Sequence, residues 1–345
     1  MSIKQALKSA LKRWPALWTA YWRVKQQFKR AYMLRYFSYD IKHTYRAMFW
    51  PVGQLGYRPL AASLFFQYHK LEKGLVMPGP RRLFGLEPAQ AVMEHLERWH
   101  AAGHSQSDSV YRGAMRTLHD YMSHLEAHGL DPAGQITPVV KTFLAGQPST
   151  DVALSTPVPL APILVNDSNS QAVFAGLVAG RRSVREFAED DVPRSAIEQA
   201  IQLAQMSPSA CNRQPCRVHA LHDAQAKKQA LQLQNGNRGF GHLAPWVLVI
   251  TADETGFFDA SERHQPYIDG GLFAMTLQYA LTAQGLASCC LNWCTPPEND
   301  RRLHAALAIP DSERVMMLLA VGMPAADCRV PRSPRRDLKD VLRVV

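Results

Sequence analysis

Gly180-Arg181-Arg182-Ser183-Val184-Arg185-Glu186-Phe187 brings three arginines and a serine within five residues, shortly before a helical stretch. Guanidinium forks grip phosphates and other anionic oxygens bidentately. Taken alone, the octamer serves equally well as a solvated basic turn. Asp191-Val192-Pro193 then opens a helix whose apolar stripe is Ile197, Ala200, Ile201 and Ala204. After that helix comes Met206-Ser207-Pro208-Ser209-Ala210-Cys211-Asn212-Arg213-Gln214-Pro215. Small hydroxyl, amide and proline residues there expose backbone N–H groups suited to the polar edge of a planar ring, although any helix-to-strand loop has a similar composition.

In this order and spacing the two motifs resemble the start of the nitroreductase family, R-R-S-x-R-x-F followed by a helix and a P-S-x-x-N-x-Q-P loop. Further pieces fit. Tyr267-Ile268-Asp269-Gly270-Gly271 leads into a helix ending Gly285-Leu286-Ala287-Ser288-Cys289. Leu307-Ala308-Ile309-Pro310-Asp311 precedes Leu319-Ala320-Val321-Gly322-Met323-Pro324, and the chain closes on Arg332-Ser333-Pro334-Arg335-Arg336. The resemblance spans roughly residues 175–340.

It implies an α+β fold with a central mixed or antiparallel sheet flanked by helices. It also implies a homodimer with FMN at the subunit interface, reduced by NADH or NADPH. Arg181, Arg182 and Ser183, with Arg332 or Arg335, would hold the ribityl phosphate, and Arg185 would lie nearer the ring or ribityl oxygens. Pro208, Ser209, Ala210, Asn212 and Gln214 would contact the isoalloxazine, and Asn235 or Asn237 its pyrimidine edge. The backbone of Cys290, Leu291 and Asn292 would approach the reactive N5. No protein nucleophile or base is required, so no catalytic residue is assigned. No G-x-G-x-x-G is present, which fits a family that stacks nicotinamide on flavin. Between Ala252 and Tyr267 the chain is short and polar, which leaves open whether the acceptor is a nitro compound, a quinone or a biosynthetic intermediate.

Other parts of this region read as follows. Apolar runs at 218–221, 246–251, 289–293 and 315–321 suggest buried strands, and 272–285 a helix apolar nearly all round. The six cysteines have no CxxC spacing and read as reduced, buried thiols. Neither His100/His104 nor His124/His128 brings a third ligand, and no metal is expected.

The front of the chain differs. Composition divides it into a basic amphipathic extension (1–50), a helical region (51–145), a Pro/Ser/Thr-rich linker (146–170) and the flavin domain (171–345). The 345-residue chain has a formal charge of +10, and residues 1–50 hold eleven Lys or Arg against the single acid Asp40. The remaining residues therefore sum to zero. Ile3, Leu7, Leu11, Trp14, Trp18 and Tyr21 form one helical stripe beside Lys4, Lys8 and Lys12, with Pro15 expected to kink or divide the helix. A basic, Trp-rich stripe suits an anionic membrane surface; packing on the domain or its dimer partner is the competing expectation. Nucleic acid is not expected, since no recognised motif accompanies the charge.

Residues 88–102 and 110–129 show helical periodicity, with Gly129 at a helix end. Gly74 reads as a helix C-cap. Its segment, His69-Lys70-Leu71-Glu72-Lys73-Gly74-Leu75, resembles stretches preceding nitroreductase-like domains near bacterial polysaccharide-assembly proteins, which points to that pathway. No apolar run suits a membrane span and no compact apolar signal region opens the chain, so the expected location is cytoplasmic. The alternative to an enzyme is a membrane-peripheral accessory protein using a nitroreductase-like dimer as scaffold, with little turnover.

Overall fold

The computed structural model describes residues 13–48, 56–78, 80–147, 168–331, 333 and 335–345. The expected stripe at Ile3, Leu7 and Leu11, most of the linker, and Arg332 lie outside the described residues.

Four strands, β1 (Cys216–Leu221), β2 (Trp246–Asp253), β3 (Ala287–Asn292) and β4 (Glu313–Gly322), form a sheet of order β1-β2-β4-β3. Every pairing between these strands is antiparallel, so the sheet is not mixed. Side chains alternate across it, as the period of a strand requires. Leu248, Ile250, Leu319 and Val321 face one apolar layer, completed by Ile197, Ala200 and Ala204 of α7 (Arg194–Ala204) and by Phe273, Leu277 and Leu281 of α9 (Gln265–Ala283). Val247, Val249, Leu318 and Ala320 face the other, with Ala230 and Leu231 of α8 (Ala224–Leu233) and Leu303 of α10 (Pro297–Leu307). All eight residues of β2 are buried, which is why it reads as a continuous apolar run rather than an alternating one.

The strands extend past the expected runs because buried polar residues continue them. Thr251, Asp253, Glu313 and Arg314 lie at the sheet's end and satisfy one another or the front of the chain. α9 begins well before residue 272. Pro266 sits in its first turn, where no N–H is needed, and Gly270 is required inside it, because a Cβ there would fall 2.6 Å from Met316 Cγ.

In front of the sheet region stand α1 (Pro15–Met48), α2 (Tyr57–Val76), α3 (Leu86–Ala101), α4 (Ser109–Ala127), α5 (Thr137–Ala145) and α6 (Ser168–Gly180). Helices α2 to α5 close a separate core around Leu64, Leu71, Trp99, Tyr111, Leu118 and Tyr121. Pro15 opens α1, and the helix then runs unbroken to Met48. Gly129 ends α4 as expected, with positive φ and Leu130 N donating to Leu125 O at 3.0 Å. Gly74 is not a C-cap. It lies within α2, where the Phe84 ring packs so closely that a Cβ would meet Cε2 at 2.1 Å. The front core joins the sheet through a polar seam, in which Arg58 of α2 donates to Asp253 and Glu313, both at 2.8 Å.

Candidate functional site

The arginine segment leaves α6, meets β3 at a single bridge and passes on to the residues that follow β4. Ser183 bridges to Ser288, and Val184 N donates to Ser288 O at 3.1 Å. Further on, Phe187 pairs with Pro324, with Ala188 N donating to Met323 O at 2.9 Å. Edge pairing thus fixes the backbone and leaves the side chains free. Arg182 reaches the carbonyl of Arg181 and Arg185 that of Ser183. Arg185 also lies 5.7 Å from the Phe240 ring. Among the described residues, no carboxylate forms an ion pair with Arg181, Arg182 or Arg185. Two of these cations, Arg181 and Arg182, line a cavity of about 430 Å³ with Ser288, Thr282 and Cys328, and a cluster of guanidinium groups of this kind suits a phosphate.

On β3 itself Cys290 and Asn292 are exposed and Leu291 is buried. Burial raises the thiol of Cys289 above its ordinary value, and although the Cys290 residue is exposed, its Sγ turns in against Gln278 and desolvation there raises it as well. The loop after α8 packs at the end of β3. Gln234 is buried and donates to Asn292 O at 2.9 Å, while its own Oε1 accepts from Gly236 N and Asn237 Nδ2. Asn237 also donates to Leu231 O at 2.8 Å, and Asn235 to Cys294 O at 3.1 Å. Gln234 therefore ties this loop to β3, Asn235 ties it to the residues after the strand, and Asn237 braces it internally. Arg335 is exposed and donates to Ser333 O.

The second motif is a strained loop. Cys211, Asn212 and Gln214 have φ of 52°, 53° and 50°, in the left-handed region that costs non-glycine residues on the order of 1 kcal/mol each. Several contacts hold it. Asp269 of α9 accepts from Ala210 N at 3.1 Å, Ser209 Oγ accepts from Gln214 N at 3.0 Å, and Ser207 pairs with Thr276 at 2.7 Å. Arg213, which is buried, grips Glu262 with both terminal nitrogens at 3.1 and 2.5 Å, and its Nε donates to Ala210 O. Phe257, Phe258 and Phe66 of α2 surround that guanidinium. Burial raises the Asp269 carboxyl, against the opposing hydrogen bonds from Gln265 and Ala210. Pro208, Ser209 and Gln214 border a small pocket of about 90 Å³ with Asp269 and Phe273.

Arg213, Glu262, Asp269 and Gln234 are the supports that motif reading missed. The Glu262 segment was legible only as a polar stretch, because its partner lies 49 residues away.

The structure brings Arg181, Arg182 and Ser183 to β3 near Ser288 and Cys290, leaves Asn292 at the strand's other end with Gln234, and places the Pro208–Gln214 loop elsewhere. Thr282, beside the arginines, and Asp269, beside the loop, are 13 residues apart on α9, about 20 Å at 1.5 Å per residue. Along this helix α9 leaves Ile268 (52%) and Leu272 (43%) exposed. Met275 and Tyr279 continue this stripe half-buried, and Gly271 has open space where a Cβ would be.

Residues 178–234 and 226–323 match the family model described as the Nitroreductase family. Both matched segments lie within this α+β region of the chain. Among curated proteins, the iodotyrosine deiodinase of Danio rerio is 24% identical over 216 residues, 54% of this chain and 73% of the relative. That of Haliscomenobacter hydrossis is 27% identical over 192 residues, 48% of this chain and 85% of the relative. Among solved structures, a nitroreductase-like protein from Streptococcus mutans is 18% identical with a TM-score of 0.45, covering 51% of this chain and 99% of that one. An FMN-dependent nitroreductase from Clostridium difficile R20291 is 19% identical with a TM-score of 0.42, covering 49% and 97%.

Proposed function

We propose that this chain is an FMN-dependent oxidoreductase, reduced by NADH or NADPH, that acts as a homodimer on a small conjugated acceptor. The observation that carries this reading is the set of cations Arg181, Arg182 and Arg185, without ion pairs among the described residues, beside β3 in a region that matches the nitroreductase family model. When bound, FMN supplies hydride transfer at N5, taking two electrons and a proton from the nicotinamide and passing them to the acceptor.

The chain's own residues hold, orient and neutralise. Arg181, Arg182 and Ser183 bind the phosphate, with Arg332 or Arg335 from the tail. Arg185 faces the ring or ribityl oxygens, where a fixed cation stabilises negative charge that reduction brings. A second copy, with α9 packed antiparallel through Ile268, Leu272 and Tyr279, carries its own Pro208, Ser209, Ala210, Asn212 and Gln214 across to the first copy's arginines. This reading explains why the two motifs lie at opposite ends of α9. Asn235 and Asn237 contribute by holding the loop at the pyrimidine edge, and the backbone of Cys290, Leu291 and Asn292 lines the N5 side.

Nitro compounds, quinones and biosynthetic intermediates, including those of polysaccharide assembly, are the acceptor classes, with a cytoplasmic location. The deiodinase relatives add reductive removal of a ring halogen as a second reading.

The test begins with the visible spectrum of the purified protein and release of its flavin on heating. About one FMN per chain is expected, oxidised acceptor-dependently by a panel that includes a quinone, a nitroarene and iodotyrosine. In the double variant Arg181→Ala/Ser183→Ala, loss of charge-assisted hydrogen bonds predicts flavin affinity about 100-fold weaker. Unchanged occupancy would reject the phosphate assignment. A colourless protein that refuses added FMN would leave the fold as a scaffold.

A further inference from the structure

We propose that the first part of α1, residues 14–32, lies on an anionic lipid surface and holds the enzyme at a membrane. The inference is independent of what the flavin domain reduces.

The geometry begins with how α1 is rooted. Among the described residues, the side-chain bonds between α1 and the sheet region come from its later half. Arg35 pairs with Glu298 at 3.2 Å, Tyr39 donates to Asp300 at 2.6 Å, Asp40 meets Arg314 at 2.8 Å and His43 meets Glu254 at 2.6 Å. Tyr39 and His43 belong to a face that continues upstream at helical spacing through Tyr32, Phe28, Val24, Tyr21, Leu17 and Trp14. There the same face stands in solvent, with Trp14 65% exposed, Phe28 72% and Tyr32 58%. Arg23, Gln26, Gln27 and Arg30 occupy the opposite side. Lys25 and Lys29 flank the apolar stripe, and Lys25 Nζ lies 4.4 Å from the Trp22 ring centroid. Aromatic rings with flanking lysines match the boundary between acyl chains and headgroups, where ring and ammonium occupy adjoining depths.

Charge decides the occupant. Residues 1–34 contain eight Lys or Arg and no acid, whereas residues 51–345 sum to zero. A second copy of this chain therefore offers the segment no net opposite charge. The carboxylates best placed to receive the helix, Glu298, Asp300 and Glu254, already bind its later half. An anionic bilayer meets both demands at once, a plane of negative charge over an apolar layer. No described helix is long and apolar enough to cross a membrane, so the segment lies on the surface rather than spanning it.

The experiment is co-sedimentation of the full-length protein with vesicles of phosphatidylcholine alone and with 30% phosphatidylglycerol added. Binding to the anionic vesicles is expected to exceed that to neutral ones about tenfold or more and to collapse at 1 M salt, where the Debye length is about 3 Å. Charge reversal (Lys25→Glu, Lys29→Glu, Arg30→Glu) and, separately, Trp14→Ser with Phe28→Ser should each lower it at least tenfold. Flavin content and helical circular dichroism should stay unchanged, because these side chains are exposed. Equal or absent binding of the unmodified protein to the two vesicle types overturns the proposal without reference to any variant. So does a result in which the substitutions halve the solution mass but leave vesicle binding intact, which assigns the face to a second copy.

Discussion

Among the helices that leave apolar side chains in water, α9 and α1 differ in what surrounds those side chains. The stripe on α9, Ile268, Leu272, Met275 and Tyr279, runs past Gly271 with no charge among its members. The stripe on α1, Trp14, Leu17, Val24, Phe28 and Tyr32, lies among cations. Exposed apolar area therefore does not name a partner by itself. An uncharged stripe with a glycine admits close approach of an identical helix. A cation-framed aromatic stripe resists an identical copy, which would bring its own cations, and suits a surface of opposite charge.

The largest effect expected from breaking this contrast comes from Leu272→Arg. A guanidinium buried unpaired at the α9 interface should weaken self-association by about 1000-fold and release flavin with it. Light-scattering mass and flavin absorbance measured together check this, and a dimeric, yellow variant would remove α9 from the interface.

Acid should have an intermediate effect, and neither stripe should be its target. Burial pushes the Glu313 carboxyl up, but hydrogen bonds from His219, Thr251 and Arg58 outweigh that and hold it down to about 2, against an ordinary 4.5. Its folded value is depressed, so the stability it contributes is present above about pH 4.5 and lost as pH falls through about 2. Since Arg58 belongs to α2, the loss falls on the seam to the front core. Urea midpoints taken from pH 5 to pH 2 should decline and should decline less in Glu313→Gln; parallel curves would exclude this carboxyl.

The smallest effect is a prediction of near silence. Lys25→Glu, Lys29→Glu and Arg30→Glu should change the thermal midpoint in lipid-free buffer by no more than the shift from about 0.5 kcal/mol. A large drop in a melting scan would mean that α1 supports the fold and would blur the distinction from α9.

How far these features could be read from residues alone follows from the range of the forces involved. The strands and the α9 helix were legible because burial on both faces imposes continuous apolar runs. Their ends were not, because Thr251, Asp253 and Glu313 look like loop residues until Arg58, 195 and 255 positions distant from the latter two, satisfies them. Gly74 read as a terminus because the Phe84 ring that excludes a Cβ is a tertiary contact. The arginine and Pro-Ser motifs were legible as pieces of local chemistry. The grip of Arg213 on Glu262, and the length of α9 separating the motifs, depend on packing that no local window contains. Of the described members of the stripe expected at Ile3 to Tyr21, only Trp14 and Tyr21 belong to the exposed face of α1; Leu17 and Val24 on that face, and its rooting from Arg35 onward, were not read.

The arginine run also has a consequence for solubility. β3 is one of the sheet's two edge strands, and an unguarded edge strand is a template for sheet growth between molecules. Ser183 and Val184 occupy that edge at Ser288, and the repelling guanidinium groups stand over it. Changes in this segment thus alter colloidal behaviour along with cofactor retention. A screen that scored colour alone would classify a strand-swapping, turbid variant as a simple binding mutant, whereas turbidity recorded in the same wells would tell the two apart.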